Sequence, residues 1–146
     1  MNDLRELYQE TILDHYRQPR NFGRLVDANR KAEGFNPLCG DKITLYLKVE
    51  DGVIRDAGFE GSGCAIATAS ASLMTDRIKG MRESEALNLL EQIHGMVLSG
   101  RKNIHAGKLE VLAGVHEFPQ RVKCATLAWH TMKAAIENIK QAVTTE

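Results

Sequence analysis

Three cysteines stand in three separate settings, and an aspartate follows the first by two places. The segments are Asn36-Pro37-Leu38-Cys39-Gly40-Asp41, Gly61-Ser62-Gly63-Cys64-Ala65 and Arg121-Val122-Lys123-Cys124-Ala125. Brought together by folding, Cys39, Cys64, Cys124 and Asp41 would offer three soft sulfurs and one hard oxygen. That is a tetrahedral set for zinc, or a half-open cradle for iron and sulfide. The spacing lacks a Cys-x-x-Cys knuckle, so the linear pattern alone does not dictate a structural zinc site. A carboxylate is the ligand most easily displaced from such a set. The combination therefore suits a centre that opens to an incoming group better than a permanent clamp.

The elements that must position these groups are legible in the periodicity. Residues 3 to 16 place Leu4, Leu7, Tyr8, Ile12 and Tyr16 at helical spacing, and Pro19 to Gly23 stop that helix. A short strand is expected to run into Phe35. Ile43, Leu45, Leu47 and Val49 alternate with polar neighbours as in a half-buried strand, Asp51-Gly52 marks a hairpin turn, and Val53 to Glu60 reads as the returning strand. Gly61 to Gly63 break it. Ala65 to Ile78 reads as a helix rich in small residues, implying close packing or close backbone approach near Cys64. A helix capped by Ser84 is expected to run to about Leu98. Residues 100 to 120 read as an irregular loop, with a short helix at Lys108 to Ala113. A last helix is expected from about Lys123, with Leu127, Trp129, Met132, Ile136, Ile139 and Val143 facing inward. The order of a helix, two or three antiparallel strands and then several helices makes residues 1–146 one α+β domain.

In that layout Cys39 lies in a loop before a strand, Cys64 opens a helix after a strand, and Cys124 opens the last helix. Helix N-termini carry unpaired amides and partial positive charge, which pull a thiol toward thiolate. Lys123 adds a charge beside Cys124. The histidines carry less: His15 reads as partner-facing or on the helix surface, His94 as a packing residue, and His130 has no special neighbour. His105 and His116 lie in the loop before Cys124, within possible reach of the site. A cysteine–histidine hydrolase pair is the rival reading, but it leaves two cysteines and Asp41 unexplained. Three unrelated buried thiols are the bland alternative.

The chain has 146 residues and balanced charge, 19 basic against 19 acidic. No global field exists to hold nucleic acid or an anionic membrane, and aromatics are scarce, which disfavours a nucleic-acid zinc module. No apolar run approaches the ~20 residues that span a bilayer. The charged start, Met1 to Glu6, does not resemble a secretory leader. A cytoplasmic setting is expected, and there an odd number of cysteines points to metal binding or catalysis, not to disulfides.

At these residues the chain resembles the iron–sulfur cluster assembly proteins of the IscU and NifU N-terminal type, and within them the SufU branch. The resemblance covers Tyr8 through Asn21, Asn36 through Asp41, Gly61 through Ser72 and Val122 through Trp129. It implies a small antiparallel three-stranded sheet packed by several helices, with Cys39, Asp41, Cys64 and Cys124 as the metal site. It also implies a zinc-bound, sulfurtransferase-like acceptor that takes persulfide sulfur from a SufS-like cysteine desulfurase onto Cys39. That sulfur would pass to downstream cluster-assembly scaffold or acceptor proteins. The alternative within the same family is a scaffold binding iron and sulfide, or an assembled iron–sulfur cluster. Typical scaffold members carry histidine before the third cysteine and a Leu-Pro-Pro-Val-Lys run. Here Lys123 and Glu117-Phe118-Pro119-Gln120-Arg121-Val122-Lys123 stand instead, which tilts the implication toward transfer.

Overall fold

The computed structural model describes residues 9–101 and 106–145. Leu4, Leu7 and Tyr8 of the expected first helix fall outside them, as do Lys102 and His105. The described chain begins with α1 (Glu10–Arg17), followed by β1 (Arg30–Asn36), β2 (Asp41–Glu50) and β3 (Val53–Ser62). Next come α2 (Ala65–Ile78), α3 (Glu83–Ser99), a 3₁₀ segment (Gly107–Glu117), α4 (Pro119–Ile136) and β4 (Val143–Thr144). The sheet order is β3-β2-β1-β4. The expected antiparallel trio is present, and a two-residue strand parallel to β1 adds a fourth member at its edge.

β2 is the spine. Its alternation puts Ile43, Leu45, Leu47 and Val49 into the core, where α2 and α4 cover the sheet. Arg30 ties the end of α4 to this layer: its Nη1 donates to the Ile136 carbonyl at 2.7 Å and meets Glu83 Oε2 at 3.3 Å. A cation at a helix C-terminus satisfies an orphan carbonyl and complements the dipole.

α2 is buried on nearly every side, from Ile66 through Ala69–Thr75 to Ile78. Its run of Ala and Ser lets neighbouring backbones approach. Ser70 Oγ donates to the Ala125 carbonyl at 2.6 Å and accepts the Trp129 indole N–H at 3.1 Å, bracing α2 against α4. On another face Ser72 Oγ accepts the Arg20 N–H at 2.8 Å and pairs with His15 Nδ1 at 2.7 Å. His15 is therefore buried against α2, not on a helix surface as its sequence setting suggested, and desolvation lowers its pKa.

Three helix boundaries differ from the sequence reading. α4 starts at Pro119, four residues before the expected point, because proline at the first helical position loses no hydrogen bond. α3 starts at Glu83 rather than after a Ser84 cap; the Glu85 carboxylate reaches back to the Arg82 N–H at 2.9 Å. At the other end α4 stops at Ile136. Ile139 is largely exposed and Val143 joins β4, so neither continues the inward stripe.

Candidate metal centre

Asn36 and Asp41 are register partners closing the β1–β2 hairpin, and the four residues Pro37 to Gly40 between them carry Cys39. Gly40, at φ +70°, supplies the left-handed turn that brings the loop back into β2. Cys64 is the N-cap of α2, its sulfur accepting the Ala67 N–H at 3.5 Å. Cys124 projects from the second turn of α4 and is wholly buried. It does not open that helix: its thiol lies 3.6 Å from the Gln120 carbonyl, so the expected N-terminal stabilisation holds for Cys64 and not for Cys124.

Ligand atoms of Cys39, Asp41 and Cys124 all lie within 4.8 Å of one another. Cys64 stands beside this trio, tied to it through its backbone. Its N–H donates to Asp41 Oδ1 at 2.9 Å. The other carboxylate oxygen, Asp41 Oδ2, accepts from Asn36 Nδ2 at 3.0 Å. Three stretches far apart in sequence are thus brought together, with Asp41 and Cys124 buried and Cys39 and Cys64 half-exposed. Any side chain at Gly63 would collide with this arrangement, since a Cβ there would sit 2.6 Å from Asp41 Oδ1.

The two neighbouring thiols shift in opposite directions. The hydrogen bond from Cys124 chiefly, with backbone amides of Ala67 and Ile66, pulls Cys64 down to about 6 from its ordinary 9.0. The same bond and burial push Cys124 far up. In metal-free protein, iodoacetamide should therefore modify Cys64 with a midpoint near pH 6, because its thiolate forms as pH rises through that value. Cys124 should stay unmodified until the fold is lost. Peptide mass spectrometry across a pH series checks this, and a Cys64 midpoint near 9 would contradict the assembled arrangement.

The residues fit a thiophilic divalent ion. Two sulfurs and one carboxylate oxygen converge with Cys64 beside them, and both carboxylate oxygens are oriented by N–H donors, as buried ligands require. Asn36 was missed as a site residue because an amide is a poor metal ligand; its signal was pairing with Asp41 across a four-residue loop. The histidines take no part among the described residues. His116 engages the Ala113 carbonyl and Glu117. His130, far from lacking a neighbour, packs edge-on against His94 with ring centroids 5.5 Å apart. Both line a groove of about 520 Å³ with Lys123, Thr126, Lys133 and Glu137.

Known proteins share this layout. The sequence matches the profile of the NifU-like N terminal domain over residues 7–146. The chain belongs to that family. A *Thermotoga maritima* protein named iron–sulfur cluster assembly scaffold protein IscU is 47% identical over 138 residues, covering 92% of this chain and 96% of that one. A *Bacillus subtilis* protein named zinc-dependent sulfurtransferase SufU is 42% identical over 137 residues, covering 92% of each chain. Among solved structures, a putative iron–sulfur cluster assembly scaffold protein for the SUF system from *Fervidobacterium islandicum* superposes with a TM-score of 0.85 at 33% identity. That match covers 92% of this chain and 99% of the other. Among the described residues, no helix is long and apolar enough to cross a membrane.

Proposed function

We propose that this NifU-like protein works in iron–sulfur cluster assembly as a zinc-bound sulfur acceptor. It would take persulfide sulfur from a cysteine desulfurase onto Cys39 and pass it to the cluster-assembly machinery in the cytoplasm. Cys39, Asp41, Cys64 and Cys124 would hold the ion. Bound there, zinc keeps thiols deprotonated and brings no redox chemistry that would consume a persulfide.

The observation that carries this reading is the accessibility of Cys39 within the group. It rides on a short loop beside the exposed Leu38, whereas Cys124 has no exposed surface and Cys64 is committed to capping α2. An incoming persulfide meets Cys39 first. The Cys39 thiolate attacks the terminal sulfur, a new S–S bond forms, and the bond to the desulfurase cysteine breaks. The desulfurase leaves as a thiolate while Cys39 carries the sulfane sulfur, so no external oxidant or reductant is needed. Asp41 and Asn36 hold the neck of the loop throughout.

A scaffold role is the second reading, favoured by the two half-exposed sulfurs, which leave one side of the group open to iron and sulfide. One experiment separates them. Protein purified without chelator should contain about one zinc; desulfurase and cysteine are then added and persulfide is mapped by mass spectrometry. Persulfide on Cys39 with zinc retained supports transfer. A coloured iron–sulfur species formed in stoichiometric yield, and passed intact to an acceptor, would replace that reading with the scaffold.

A further inference from the structure

Asn36 ends β1 with its side chain only 1% exposed. Its amide nitrogen has two hydrogens, and both are directed at candidate ligands from different elements. One goes to Asp41 Oδ2 at 3.0 Å, the other to Cys124 Sγ at 3.4 Å. The amide oxygen, Oδ1, is buried and has no partner among the described residues. Turning the amide over would not relieve it, because Oδ1 would then face the Asp41 carboxylate, acceptor against acceptor. A side chain serving only to fill space would not strand a buried carbonyl, since an apolar residue of similar volume avoids that cost.

Resting on the metal-centre reading above, we infer that Asn36 is a positioning residue: its two N–H groups aim Asp41 and Cys124 at one point, and these donors, rather than its bulk, set how tightly the ion is held. Hydrogen bonds to ligating groups fix their orientation and strengthen the site, and losing such a partner typically costs about 10–100-fold in metal affinity. The backbone register already pairs residues 36 and 41, so the hairpin does not need the side-chain bond to form. The link to Cys124, 88 positions away, is what a hairpin clamp would not require.

The test compares substitutions that separate donors from volume. Asn36→Leu keeps approximate size and removes both donors; Asn36→Ser is smaller and keeps one. Zinc affinity, measured by competition with a chromophoric chelator, should fall in the order wild type, Ser, Leu, with Leu about 10–100-fold weaker than wild type. Cobalt loaded into the Leu variant should lose about a third of its sulfur-to-metal charge-transfer intensity, as Cys124 falls out of the set of thiolate donors. Leu at wild-type affinity, or tighter than Ser, overturns the inference. Should Leu fold poorly by near-ultraviolet circular dichroism, Asn36→Ser against Asn36→Ala decides, because these differ by a hydroxyl alone. Ser tighter than Ala then supports the donor role, and equal affinities remove it. Failure of the underlying centre looks different: wild type takes up no zinc, or Cys64→Ser retains the full content.

Discussion

A Cys39→Ser protein incubated with desulfurase and cysteine is expected to acquire no persulfide, a loss to background and at least ~100-fold below wild type. A serine hydroxyl is not ionised near neutrality and cannot displace a thiolate from a persulfide, whereas a cysteine sulfur can. The substitution changes one atom on the Pro37–Gly40 loop. The Asn36–Asp41 bond, the Cys64 cap and buried Cys124 are left in place. The Cys64 alkylation profile of the metal-free variant therefore serves as an internal control, and it should change little. Sulfur-bearing peptides identified by mass give the readout. Persulfide appearing at Cys64 in wild-type yield would move the accepting role to the N-cap of α2.

Asp41→Ala is expected to damage both metal retention and the fold. The carboxylate is 2% exposed, and each of its oxygens satisfies a buried or half-buried donor. Truncation strands the Cys64 N–H and the Asn36 amide, at about 1–3 kcal/mol for each unsatisfied group. The metal-free protein should lose roughly 2–6 kcal/mol, a fall in Tm of roughly 6–18 °C for a domain of this size. Zinc content should fall well below one equivalent in parallel. Calorimetry of chelator-treated wild type and variant measures the first effect apart from the second. An unchanged Tm would mean that the two hydrogen bonds contribute nothing to the metal-free state.

The β2–β3 hairpin and the body of α2 were readable from sequence because their signals are local. Alternation from Ile43 to Val49, an Asp-Gly turn and a dense stretch of small residues need no distant partner to be interpreted. The approach of Cys39, Asp41 and Cys124 was suggested by residue type and by resemblance, and the fold supplies it by placing the β1–β2 loop over α4. What sequence concealed was tertiary. Pro119, within the stretch expected to be a loop, instead starts α4, which places Cys124 in the second turn of that helix and not at its mouth. His15 looked like a surface residue because its partner, Ser72, lies 57 positions away. Asn36 lacked the chemical type of a ligand, and β4 is too short to show a period.

The Asn36–Cys124 hydrogen bond also bears on quality control. Contacts between such remote parts of a chain form late in folding and are lost when α4 loosens from the sheet. A molecule with a disrupted interior would be unable to gather its ligands, and an ion that binds only the native state would in turn stabilise the closed form. If the proposed function holds, competence to receive sulfur would thereby be linked to structural integrity, and damaged copies would drop out of the relay without needing a separate inspector.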